Sequence, residues 1–189
     1  METSLRPARD NQRIKVYRAN TGVLGSSYPT MGDVENFCTE VQSSATWNEL
    51  FTSEISKVPP ILKPGRGAKT AHVIWHHDGR IEISFPKAYR YATYILHELT
   101  HYGIGLRNDI ASHGPEFVGY FLALVDEFCS TKTSNALRRG MTKNKVRIFV
   151  PHRIKVETHV EESKTTRVEE LKLFDDHGHT LTASDTHSF

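Results

Sequence analysis

The chain has 189 residues, with 24 basic and 22 acidic side chains for a formal charge of +2, and 11 histidines. That length suits one domain with a real core and an appendage. Cys38 and Cys129 lie far apart in apolar segments, which excludes a disulfide framework and a zinc ribbon. No apolar run nears the roughly eighteen residues of a membrane span and no signal-peptide pattern is present, so the expectation is a soluble, cytoplasmic protein with no membrane partner.

Residues 1–30 read as a polar N-terminal arm, loose over 1–12 and carrying at most one strand. The main domain is expected over residues 31–130. From Met31 to Phe51, Val34, Phe37, Cys38, Val41, Trp47, Leu50 and Phe51 recur at mainly helical spacing behind Thr30, a good N-cap. Residues 52–70, with Pro59, Pro60, Pro64, Gly65 and Gly67, read as a connecting loop. Two β-rich runs, residues 71–75 and 80–85, flank Asp78-Gly79, a strong hairpin signal. In the second run Ile81, Ile83 and Phe85 alternate with Arg80, Glu82 and Ser84, so one face is buried and the other wet. This run is read as a sheet edge to which an extended peptide could add by backbone hydrogen bonds.

Residues 97–101 read His-Glu-Leu-Thr-His. Positions i and i+4 lie one turn apart on a helix, so His97 and His101 can offer ring nitrogens to one Zn²⁺, with Glu98 beside them as a general base. The flanking apolar residues Ala88, Tyr91, Ala92, Ile95, Leu96, Leu99 and Tyr102 fall in one stripe. That places His97, His101 and Tyr94 on the opposite side of the helix, facing a cleft, with Glu98 at its margin.

A catalytic zinc needs a third protein ligand and an open position. The metzincin continuation is absent, because Ile104 and Arg107 stand where Gly and His are required. His113, in Ser112-His113-Gly114-Pro115-Glu116-Phe117, is the best donor. Pro115 and Glu116 suit the first turn of the apolar helix that follows. Glu116 is a candidate partner for orienting His113, and Tyr94 and Tyr102 are candidate oxyanion donors.

His-Glu-Leu-Thr-His followed by His-Gly-Pro-Glu-Phe resembles the motif pair of the SprT-like zinc metallopeptidases, the family of Spartan-related protease domains. The resemblance covers the motifs firmly and residues 31–130 loosely. It implies His97, His101 and His113 as zinc ligands, Glu98 as base, and an α+β, zincin-like (minigluzincin-type) domain whose small antiparallel sheet precedes the active-site helix. The chain departs from the many bacterial members that carry a four-Cys zinc-binding tail.

Residues 131–156 form a basic extension. No acidic residue separates Glu127 from Glu157, and Arg138, Arg139, Lys143, Lys145 and Arg147 are candidates for tracking a phosphate backbone, against the plain reading of a solvated face. Residues 157–189 form an acidic tail in which residues 171–182 suggest a hairpin.

The resulting expectation is a zinc-dependent peptidase acting on extended or unfolded protein segments, with DNA as a candidate partner. Two rivals stand. One is a non-enzymatic nucleic-acid-binding or scaffold protein with a structural zinc. The other is a gluzincin whose third ligand is Asp126 or Glu127.

Overall fold

The structure is a computed structural model, which describes residues 9–107 and 109–150. The end of the basic extension, the acidic tail and its expected hairpin lie outside them. The described chain is mixed α+β, with helices α1 (Arg13–Asn20), α2 (Met31–Ser43), α3 (Ala45–Leu50), α4 (Ala92–Ile104), α5 (Pro115–Phe128) and α6 (Thr131–Lys143), and strands β1 (Ile61–Lys63), β2 (His72–Trp75) and β3 (Ile81–Ser84).

The helix starts follow local chemistry. Thr30 caps α2 in a reciprocal capping box with Asp33, an arrangement that contributes about 1 kcal/mol. The single helix expected from Met31 to Phe51 is two, because Ser44 adopts an extended conformation and its hydroxyl accepts the Trp47 N–H at 3.0 Å to start α3. Pro115 occupies the first turn of α5, as its missing N–H predicts.

Asp78-Gly79 turns the β2–β3 hairpin in the antiparallel register His72↔Ser84 to Trp75↔Ile81. The sheet is not purely antiparallel, however. Within the segment expected to be loop, β1 pairs in parallel with β3 through Ile61↔Glu82 to Lys63↔Ser84. Three residues of alternating exposure among prolines leave no legible strand signal. The strand order β1-β3-β2 makes β3 central and leaves β1 and β2 at the edges. The run expected from sequence to be a sheet edge is therefore interior, and its hairpin partner β2 is an edge strand. A central position also explains why Ser84, on the polar side of the alternation, is buried.

Helix α4 begins at Ala92, after a short 3₁₀ turn at Lys87–Tyr89. Its start is anchored by the chain ahead of it: the Ala92 and Thr93 N–H groups donate to the Ser26 and Leu24 carbonyls, and the Thr93 hydroxyl donates to Val23. It ends at Gly105, whose φ of +71° suits glycine. Rather than exposing a polar face, α4 is buried nearly all round, including His97, Glu98 and Thr100. Its apolar side enters the core with Ile83 of β3, Phe85 just after it, and Phe117, Phe121 and Leu122 of α5.

The polar arm expected over residues 1–30 contains α1, which packs against α6. Only Val16 and Ala19 give this helix apolar burial, too few for a readable stripe. What holds it is shape and backbone pairing. A Cβ on Gly140 of α6 would lie 2.5 Å from the Ala19 carbonyl oxygen, so the two backbones cross at a distance only glycine permits. The buried Gln12 side chain donates to the Arg147 carbonyl at 3.1 Å and accepts the Arg147 N–H at 3.0 Å. No helix among the described residues is long and apolar enough to cross a membrane.

Candidate metal centre

One turn of α4 brings the Nε2 atoms of His97 and His101 to 3.2 Å from each other. His113, in the turn closed by the Gly114 N–H on the Ala111 carbonyl, enters from the start of α5. Its Nδ1 lies 2.8 Å from the Asp10 carboxylate, and its Nε2 is buried with no hydrogen-bond partner. Ligand atoms of the three imidazoles all lie within 4.8 Å of one another, the one such group of metal-binding side chains among the described residues. Nitrogens about 2.0–2.1 Å from a tetrahedral ion sit roughly 3.3 Å apart, so the His97–His101 pair is already at that spacing. A buried imidazole nitrogen without a partner costs free energy, and a metal ion at the point where the three converge removes that cost. The residues therefore fit a metal ion.

Asp10 does for His113 what metal sites commonly require. A carboxylate accepting the Nδ1–H fixes the tautomer and leaves the Nε2 lone pair for the ion. Glu116, the partner expected from sequence, lies instead against Gly114, with its Oε2 3.2 Å from where a Gly114 Cβ would stand.

Burial sets the protonation states. His97 is driven well below the ordinary imidazole pKa by burial and then by the neighbouring His101 and His113. His101 falls to about 3 by burial and then by His113, and His113 is lowered chiefly by burial. All three are therefore neutral and competent to ligate at ordinary pH. The Glu98 carboxyl is pushed up to about 8 by burial alone, a shift that a nearby divalent cation opposes. Phe117, 4.4 Å from the His101 ring and 4.9 Å from that of His97, supplies the apolar wall.

A cavity of about 530 Å³ opens on this centre, with Glu98, His101 and His113 on one side and His72, Val73 and Trp75 of the edge strand β2 on another. An adjoining cavity of about 270 Å³ is lined by His97, Glu98, Asn20, Tyr89 and Tyr94. Tyr17, Thr70, Ala71 and Glu98 line both. The two spaces thus form one cleft running past Glu98.

The structure brings Tyr94 to this cleft but not Tyr102. Tyr102 is fully buried, its hydroxyl donates to the Val58 carbonyl and its ring stacks on Trp47, so it is a packing residue. Asp126 is engaged by Ser134 and Arg138. Asp126 and Glu127 line a separate cavity that contains none of the three histidines, so neither completes the centre.

Of the five basic candidates, all exposed, Arg138 is paired with Asp126, while the Arg147 backbone holds Gln12.

Sequence reasoning missed Asp10, Tyr17 and Asn20. No motif flags any of them, because their spacing from His113 and His97 along the chain is set by the crossing of α1 with the rest of the fold. The Tyr17 ring lies 5.0 Å from that of His113 and 5.8 Å from that of His97. No protein-family model, curated protein or solved structure matches the chain.

Proposed function

We propose that the protein is a zinc-dependent peptidase of the SprT-like, zincin type, cutting extended or unfolded protein segments. The observation that carries this reading is the buried, partnerless Nε2 of His113, oriented by Asp10 and converging with His97 and His101 beside a carboxylate that lines an open cleft. Order along the chain supports it as well, since the small sheet precedes the helix that carries two of the ligands.

His97, His101 and His113 would hold Zn²⁺, the metal that suits three imidazoles with one open position. Zinc in such a site supplies a Lewis acid that polarises a carbonyl and acidifies water. Glu98, adjacent to His97 and facing the cleft, takes the proton of the attacking water and delivers it to the leaving amine. Tyr17 and Tyr94 offer phenolic donors to the developing oxyanion. The β2 edge along the cleft wall gives an extended substrate a backbone to pair with, with little demand on side-chain identity. A site walled by Phe117 and Phe121 limits water access to the ligands.

A structural zinc would be saturated by protein donors, whereas this reading leaves a position for solvent. X-ray absorption at the zinc edge of the reconstituted full chain separates the two. Three imidazole nitrogens plus one or two oxygens are expected. Four protein donors, or a chain that takes up no zinc after chelation and reconstitution, overturns the peptidase reading. The exposed basic residues of α6 support DNA as an associated partner, through phosphate contacts alone.

A further inference from the structure

His113 has its Nδ1 held by Asp10, but the Nδ1 of His97 is buried and has no hydrogen-bond partner. A ring whose Nε2 faces the metal carries its proton on Nδ1, and that N–H needs an acceptor. Among the described residues, the buried side-chain atoms that also lack a partner include one oxygen, Oδ1 of Asn20. Asn20 ends α1 and is only 3% exposed.

Several observations bring the two together. Asn20 and His97 line the same cavity. Asn20 follows Tyr17 by one helical turn on α1, and the Tyr17 ring lies 5.8 Å from that of His97. Just beyond Asn20, the Val23 and Leu24 carbonyls accept from Thr93, one turn before His97 on α4. Along the chain Asn20 thus lies between a contact to His97 itself and contacts to the turn of α4 that precedes it. Both orphaned atoms are buried, and each needs a partner of the kind the other supplies. One is a donor and the other an acceptor, and each unmet group alone costs free energy.

We propose that Asn20 is the positioning residue of His97, its side-chain oxygen accepting the His97 Nδ1–H when the site holds its metal. The segment of Asp10 and α1 then orients two of the three ligands, Asp10 fixing His113 and Asn20 fixing His97. This inference rests on the metal-centre reading above.

The test uses the full chain, with Asn20→Leu removing the acceptor while keeping the number and branching of the side-chain heavy atoms, and Asn20→Asp keeping the acceptor. Zn²⁺ affinity is read by competition with a chromophoric chelator, and the thermal midpoint of each metal-free protein is measured alongside. Asn20→Leu is expected to weaken Zn²⁺ binding by about 10–100-fold with a metal-free midpoint close to wild type, and Asn20→Asp to restore wild-type affinity or better. Equal affinity in Asn20→Leu and wild type overturns the assignment. So does an Asp variant as weak as the Leu variant, or a loss of affinity matched by a loss of metal-free stability. Should Asn20→Leu fail to fold, the wild-type zinc protein decides the matter by nitrogen-15 NMR: a slowly exchanging His97 Nδ1 proton supports the inference, and a rapidly exchanging one removes it. Wild-type protein that takes up no Zn²⁺ overturns the metal-centre reading itself, whereas tight wild-type binding with an unaffected Leu variant overturns the Asn20 role alone.

Discussion

Asp10 accepts a hydrogen bond at 2.8 Å from His113, a residue 103 positions further along the chain. The contact makes the segment ahead of α1 part of the candidate metal centre. Replacing Asp10 with Ala removes the acceptor that fixes the His113 tautomer, and Zn²⁺ affinity should fall by about 10–100-fold. Asp10→Asn keeps a weaker, uncharged acceptor and should lie between the two. Chelator competition at constant pH measures both. An Asp10→Ala protein that binds Zn²⁺ like wild type would place Asp10 outside the site.

Gly140 lets α6 cross the backbone of α1. A methyl group there overlaps the Ala19 carbonyl, which cannot move without moving the helix. Gly140→Ala should therefore cost about 1–3 kcal/mol, read from urea denaturation of the metal-free protein. It should also weaken Zn²⁺ binding, because Asp10 travels with α1. Lost stability with unchanged metal affinity would show that α1 and the centre are not coupled.

The metal-free protein should have a stability maximum near pH 6.5. Below that value the unfolded chain protonates imidazoles that the fold keeps neutral, with His101 held down to about 3 by burial. His97 and His113 are lowered in the same direction. Their contribution is complete above 6.5 and is lost as pH falls through the lowered pKa of each, about 3 for His101. Glu98 acts with the opposite sign. Its folded pKa of about 8 exceeds its ordinary 4.5, so the fold binds the extra proton and stability declines as pH rises through that interval. Three imidazoles outweigh one carboxyl below 6.5, while Glu98 alone acts between 6.5 and 8. Denaturation midpoints across pH 4–9 check this shape, and Glu98→Gln should abolish the alkaline decline while leaving the acid limb.

If the exposed cations of α6 and of the segment just after it track a phosphate backbone, DNA binding should weaken steeply with salt, with a log–log slope of several. Replacing Arg139, Lys143, Lys145 and Arg147 with Gln should flatten that slope, whereas Arg138→Gln should do less, since its charge is already spent on Asp126. Failure of single- and double-stranded DNA to bind at low salt, or equal binding by the neutralised variant, makes this surface merely solvated.

The parts legible in the sequence were those written in local spacing. Thr30, Pro115 and Asp78-Gly79 mark their caps and turn whatever packs on them, and a four-residue step brings His97 to His101 on any α-helix. His113 was reachable because Gly114 and Pro115 announce a helix start. The surroundings of the site were not legible. Asp10, Tyr17 and Asn20 come from a segment whose composition is that of a surface arm, and only its crossing at Gly140 and pairing through Gln12 turn it inward. Strand β1 escaped for a related reason, as three residues beside prolines acquire a strand's identity only by pairing with β3. Helical spacing already put Tyr102 in the apolar stripe of α4, and what it could not show is that its hydroxyl donates to Val58 on a distant turn rather than reaching the cleft.

Cleavage of an unfolded protein by the zinc-loaded full chain, compared between wild type and Glu98→Gln at equal zinc content, tests the central claim most directly. The variant keeps His97, His101 and His113 and loses only the base. Wild type should generate fragments, and the variant should retain its zinc while its initial rate falls by about 10²–10⁴-fold. Zinc-loaded wild type that cuts nothing, or a variant that cuts at the wild-type rate, would contradict the assignment of this centre as a peptidase site.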